Sequence, residues 1–136
     1  MTLLAILISG VLVGISALHA LWGMGKWVPI ADEAELARAF VGARGVTRMP
    51  GPIPCFLVVA ALVMVTVLIW LPPGGLRDAI LGLAAAVLIL RGGLAYTRLW
   101  RRMTPEEPFA RYDRTRYGPL CLALGAGLAI LIVGGN

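Results

Sequence analysis

A chain of 136 residues that is 60% hydrophobic, only 14% charged and has a mean hydropathy of +0.89 cannot hide its apolar surface as a water-soluble domain, because so small a body has too few interior positions. It has room for one domain, residues 1–136, with lipid as its solvent. The formal net charge of +5 does not indicate nucleic acid: the basic residues sit in short loops beside apolar runs, where they orient spans and meet anionic head groups.

The first apolar run, Thr2–Trp22, is uncharged, with His19 its only readily ionisable side chain. It lacks the positive leader of a secretory signal and is longer than such a signal's apolar stretch, so it reads as a span over residues 2–22. Within it, Gly10 and Gly14 form a Gly-x-x-x-Gly step that permits close helix contact, inside a bundle or between copies. The next loop holds Lys26, Arg38, Arg44 and Arg48. In it, Asp32-Glu33-Ala34-Glu35 offers a carboxylate cap with Glu at the third helical position. Leu36, Phe40 and Val41 follow, and Gly42 is a natural stop, which predicts a short interfacial helix.

Gly51-Pro52-Ile53-Pro54-Cys55 opens the second run, residues 53–71, which closes at Pro72-Pro73-Gly74-Gly75, a turn that predicts an antiparallel pairing with the third run. That third run, residues 79–100, carries Arg91 inside it. Thr104-Pro105-Glu106-Glu107 then reads as a second helix start, with Phe109 and Tyr112 three apart on one face and able to dip into the head-group layer. Gly118-Pro119-Leu120-Cys121 opens the fourth run, residues 119–133, the shortest, which must thin the bilayer or pack short against its neighbours.

Lipid offers backbone groups no hydrogen-bond partner, so runs of this length must be helices. The predicted fold is an all-α integral membrane protein, a four-transmembrane-helix bundle with short interfacial helices in two cytoplasmic loops. Those loops and their flanks hold ten lysines and arginines against Arg77 alone on the other side, which places both termini outside. Leu18-His19-Ala20-Leu21-Trp22 and Tyr96-Thr97-Arg98-Leu99-Trp100 end spans one and three. Each precedes a capping signal, arginines, Gly-Pro and a cysteine. A 2+2 parallel repeat explains this order, and so does convergent helix-end chemistry.

A charge inside a span is costly and by default marks a site. Arg91 has no acid within any predicted span, and Asp78 lies 13 residues away on its own helix. Its partner is therefore expected among carbonyls, Ser16, His19, tyrosine hydroxyls, a lipid phosphate or an anionic ligand, with snorkelling to the head groups as the plain alternative. Gly92-Gly93 beside it would let another helix approach closely. The candidate ligand contacts are Arg91, His19, Trp22, Tyr96 and Tyr117. Cys55, Cys121 and His19 are weak candidates for a soft-metal or thiol site, against the plainer reading of packed cysteines and an interfacial histidine.

His19-Ala20-Leu21-Trp22 with Gly23 and Gly25-Lys26-Trp27, and above all Phe109, Arg111, Asp113, Tyr117, Pro119, Leu120 and Cys121, resemble the motifs of a bacterial family of four-span membrane proteins, domain-of-unknown-function family 3995. Leu21 stands where that pattern has an aromatic residue, and the loop after span one departs from it. The resemblance implies a small integral membrane protein of unassigned activity.

No hydrolase, nucleotide or metalloprotease motif is present in the sequence, and no cofactor is expected. The leading expectation is a non-enzymatic inner-membrane protein that binds, and in one version transports, an anionic or amphiphilic small molecule or lipid at a cytoplasmic-side cavity. Its partners would be membrane lipids and anionic head groups rather than nucleic acid. A thiol or metal redox enzyme and an accessory subunit of a larger complex stay open as alternatives, as does a homo-oligomer.

Overall fold

A computed structural model describes residues 1–135. The described residues form helices and no strand: α1 (Thr2–Gly23), α2 (Glu33–Phe40), α3 (Pro52–Ile69), α4 (Gly75–Leu94), α5 (Arg98–Met103), α6 (Phe109–Tyr112) and α7 (Gly118–Gly134), with a π-helical turn, Asp113–Tyr117, joining α6 to α7. Three helices are long and apolar enough to cross a membrane: α1, α3 and the continuous segment Phe109–Gly134. Helix α4, with 20 residues, is longer than α3 but carries Arg77, Asp78 and Arg91.

Helix α1 packs along α3, and α4 along α7, with lesser contacts joining the two pairs. The core between them is aliphatic: Ile8 and Leu12 of α1, Val65 and Ile69 of α3, Leu81 and Ala85 of α4, and Leu124, Leu128 and Leu131 of α7. The outside is equally apolar. Leu3, Ile53, Leu83 and Val133 are all more than half exposed, a surface that belongs in lipid rather than in water. The chain thus has the composition and surface of a membrane protein.

Local chemistry accounts for the helix ends. Pro52 sits in the first turn of α3, where its missing N–H costs nothing. At the other end of α3, Arg77 reaches back: Nε donates to the Leu68 carbonyl (3.1 Å) and Nη2 to that of Ile69 (3.4 Å), while Nη1 pairs with Asp78 (2.6 Å). The lone arginine of this turn therefore caps α3, placing positive charge on two carbonyls of its last turn. Helix α2 has the ends its sequence implies. Asp32 Oδ1 accepts from the Glu35 amide (2.9 Å), and Gly42, at φ +69°, donates to the Ala37 carbonyl (3.0 Å).

Three local expectations are corrected. The third apolar run does not continue to Trp100. It stops at Leu94, and Thr97 caps a separate short helix, accepting from the Trp100 amide through Oγ1 (3.3 Å). Thr104 starts no helix. Pro108 disfavours the helical region for Glu107, which works against a helix begun at Thr104, and α6 opens only at Phe109. Thr104 instead ends α5, donating to the Trp100 carbonyl (2.8 Å). Phe109 does not face outward: it is buried against Tyr117 and the Arg101 guanidinium. Of the two readings of the Gly-x-x-x-Gly step, close packing inside the bundle finds no support, since a Cβ added at Gly10 or Gly14 meets nothing within 4 Å.

Close helix contact occurs instead at Gly92. A Cβ there would stand 2.7 Å from the Gly118 carbonyl oxygen, and one on Gly118 would stand 3.3 Å from that of Gly92. Two glycines thus bring the backbones of α4 and α7 together beside Arg91. Gly93 faces open space.

Candidate functional site

Asp113, in the first position of the π-helical turn, is fully buried. Its Oδ1 accepts from Arg91 Nη2 of α4 (2.8 Å), and its Oδ2 accepts from Trp100 Nε1 of α5 (2.8 Å) and from Arg101 Nη2. A buried carboxylate survives only when paired and hydrogen-bonded, and this one has three donors from two other helices. Arg91 lies over the Trp100 ring, 5.0 Å from its centroid, so the indole serves both the cation and the anion. Arg101 also donates to the Ala110 carbonyl (2.9 Å) and to Thr104 Oγ1 (3.2 Å).

The partner of Arg91 is therefore a carboxylate of the chain itself, which corrects the expectation that no acid was at hand. Asp113 was missed because it lies outside the fourth apolar run as the sequence delimits it. The helix actually extends back through residue 109. The available signal was its place as a lone acid amid Arg111, Arg114 and Arg116, inside the motif that carried the family resemblance.

The π-helical turn has a readable cause. Pro119 has no N–H to give, and its ring crowds the carbonyl four residues back. The Gly118 amide bonds to the Asp113 carbonyl, the five-residue step of a π turn, which leaves the Arg114 carbonyl facing a proline. Tyr96 fills that vacancy: its hydroxyl donates to the Arg114 carbonyl (3.0 Å). Tyr117 does the same for α2, donating to the Ala39 carbonyl (2.9 Å), one of the acceptors left open in that helix's last turn. Trp22 Nε1 donates to the Val28 carbonyl (2.8 Å), and His19 Nδ1 bonds to that of Ile15 (2.8 Å). Each aromatic candidate thus has a polar atom engaged by backbone.

Two cavities lie among the candidate residues. One, of about 130 Å³, is lined by His19, Trp22, Phe40, Met49 and Cys55 among others. It brings His19 and Trp22 together with Cys55, but Arg91, Tyr96 and Cys121 do not line it. Cys55 is buried under α2, and its thiol is 3.8 Å from the Pro50 carbonyl. Cys121 is half-buried on α7, and both thiols are free. Among the described residues no group of three or more His, Cys, Asp and Glu side chains is placed to hold a metal ion.

The second cavity, of about 330 Å³, opens beside the Asp113 cluster. Arg98, Arg101 and Arg102 of α5, Arg114 of the π-helical turn, and Ala95, Tyr96 and Thr97 line it. Arg101 belongs both to this wall and to the carboxylate behind it. Among the described residues Arg98, Arg102 and Arg114 have no ion-paired carboxylate. Leu94, Leu99 and Met103, on the same stretch of chain, are exposed.

The family model described as "Protein of unknown function (DUF3995)" matches residues 12–128. The chain belongs to the DUF3995 family. No curated protein and no solved structure matches it. The DUF3995 match spans the whole Asp113 cluster and the helices that supply it, from α1 through most of α7.

Proposed function

We propose that this DUF3995 chain is a non-enzymatic, four-span protein of the bacterial inner membrane that binds an anionic or amphiphilic small molecule or lipid at the cytoplasmic face. The observation that carries this reading is the arginine-lined cavity of α5 and the π-helical turn, flanked by exposed leucine side chains. Guanidinium groups at that edge suit a phosphate or carboxylate head, and the leucines suit a chain lying in the bilayer.

In this reading α4 is the fourth span, its charges housed near its ends: Arg77 capping α3 and Arg91 paired with Asp113. The pairing of α1 with α3 and of α4 with α7 favours a 2+2 arrangement. Both long loops, with α2 and with α5 and α6, would then share the positive, cytoplasmic side, and both termini would lie outside. Binding falls to Arg98, Arg102 and Arg114 with Arg101 behind them. Arg91 and Tyr96 shape the site from the rear, and Tyr117 and Trp22 hold α2 and its loop against the helix ends.

The test is co-purification of anionic lipid with full-length protein extracted in mild detergent and read by native mass spectrometry. Arg98→Gln/Arg102→Gln/Arg114→Gln should lose the bound lipid while remaining folded, since these side chains are exposed and lack an ion-paired carboxylate among the described residues. Retention of anionic lipid by the triple variant would defeat the proposal.

A further inference from the structure

We propose that the arginine-lined cavity recognises charge number, taking a doubly charged phosphate monoester in preference to a singly charged phosphate diester. This rests on the reading above that the cavity binds an anion. Three guanidiniums at its wall, those of Arg98, Arg102 and Arg114, lack an ion-paired carboxylate among the described residues. A further positive charge stands behind them, because Arg91 and Arg101 share the single carboxylate of Asp113. The cluster is also short of acceptors: Arg91 Nη1 and Arg101 Nε are buried without a hydrogen-bond partner.

A diester presents one negative charge and two terminal oxygens to this surplus, whereas a monoester presents two charges and three such oxygens. Like charges held together at the edge of an apolar medium repel strongly, and each added negative charge relieves that repulsion. Planar guanidinium forks also bond best to several terminal oxygens at once. The cavity is partly preorganised. Arg101 is fixed by Asp113, Ala110 and Thr104, and the Arg114 backbone is held by Tyr96. The monoester could belong to a lipid head group, whose chains would lie along Leu94, Leu99 and Met103, or to a water-soluble phosphate.

The test titrates full-length protein in neutral detergent with dioctanoyl phosphatidate, dioctanoyl phosphatidylglycerol and glycerol 3-phosphate, each read by native mass spectrometry and thermal shift. Phosphatidate should bind about ten-fold or more tightly than phosphatidylglycerol at about pH 8, a preference worth one extra charge contact. The preference should shrink toward unity at about pH 5, where the monoester, with its second pKa of about 6, takes up a proton while arginine stays charged. Arg98→Gln and Arg114→Gln should abolish it, and Arg48→Gln, on the α2 loop and outside the cavity, should keep it. Competition by glycerol 3-phosphate would identify a soluble monoester as the ligand, and its failure to compete a lipid one; both support recognition of the dianion. Equal binding of the two lipids at about pH 8 would overturn the inference and leave anion binding standing. Binding of neither lipid would remove both.

Discussion

Arg91 and Asp113, 22 residues apart, meet in a hydrogen-bonded ion pair of 2.8 Å that joins α4 to the start of the C-terminal helix. The pair is unequal. Asp113 is fully buried, and it also receives Arg101 and Trp100, whereas Arg91 is partly exposed. Losing the carboxylate strands two cations; losing Arg91 leaves the carboxylate still satisfied.

That asymmetry ranks the variants. Asp113→Ala should cost about 3 kcal/mol or more, the range for breaking a buried pair by removing one partner. Arg91→Leu should cost less, about 2 kcal/mol, within the range of one charge-assisted hydrogen bond. Denaturation midpoints in detergent measure both. A double variant that costs much less than the sum of the singles would display the coupling, and additive costs would contradict the shared cluster.

The approach of α4 to α7 makes a second expectation. Gly92→Val and Gly118→Val insert atoms where the carbonyl oxygen of the other glycine already stands 2.7 Å and 3.3 Å from the first added carbon. Overpacking of this kind costs about 1–3 kcal/mol. Gly93→Val, one residue away and facing open space, is the control and should shift the thermal midpoint far less. Equal effects at positions 92 and 93 would mean that the helices do not cross there.

Gly42 and Gly25 separate backbone strain from crowding. Both have positive φ, +69° and +75°, but an added Cβ meets the Phe109 ring only at Gly42. Gly25→Ala should cost about 1–2 kcal/mol, the penalty for a left-handed alanine. Gly42→Ala should cost more, since it also displaces the ring that α6 packs beneath α2. The difference between the two thermal shifts measures the contact.

Tyr96→Phe tests whether this hydroxyl supports the backbone or touches a ligand. As a support for the Arg114 carbonyl it is worth about 1 kcal/mol, less if water takes its place. The thermal midpoint should fall slightly, with lipid occupancy nearly unchanged. A large loss of bound lipid with an unchanged midpoint would make Tyr96 a ligand contact instead.

The two ends of helix α2 were legible because their signals are local. Asp32, Glu35 and Gly42 lie within a few residues of the ends they define, so tertiary context had little to override. The same logic failed at Thr104, where an equally good cap preceded a proline four residues on that works against the helix. The limits of the first and second apolar runs, and the far end of the fourth, were readable to within two residues, whereas the fourth run's helical segment begins well ahead of its Gly-Pro step.

The site was less accessible to that reading. A charge inside Arg91's helix announced a partner, but choosing it meant knowing that α4 and the segment ahead of α7 lie side by side. The α5 break that delivers Trp100 and Arg101 to the same carboxylate depends on Thr97, an unremarkable residue within an apolar run. The arginine-lined cavity depends on that break, since an α4 continued to residue 100 would have carried Arg98 past it.

The π-helical turn has one consequence that no side-chain substitution would reproduce. It is a helix with one residue too many, and that surplus is an angular offset between the chain on its N-terminal side and α7 on the other. Removing a single exposed residue there, such as Thr115, would let the turn close as ordinary α-helix and rotate everything ahead of it by roughly 100° about the axis. Asp113 would then swing away from Arg91, Arg101 and Trp100 together, with every one of those residues still present. The electrostatics of this protein are stored in a chain length as much as in its charges.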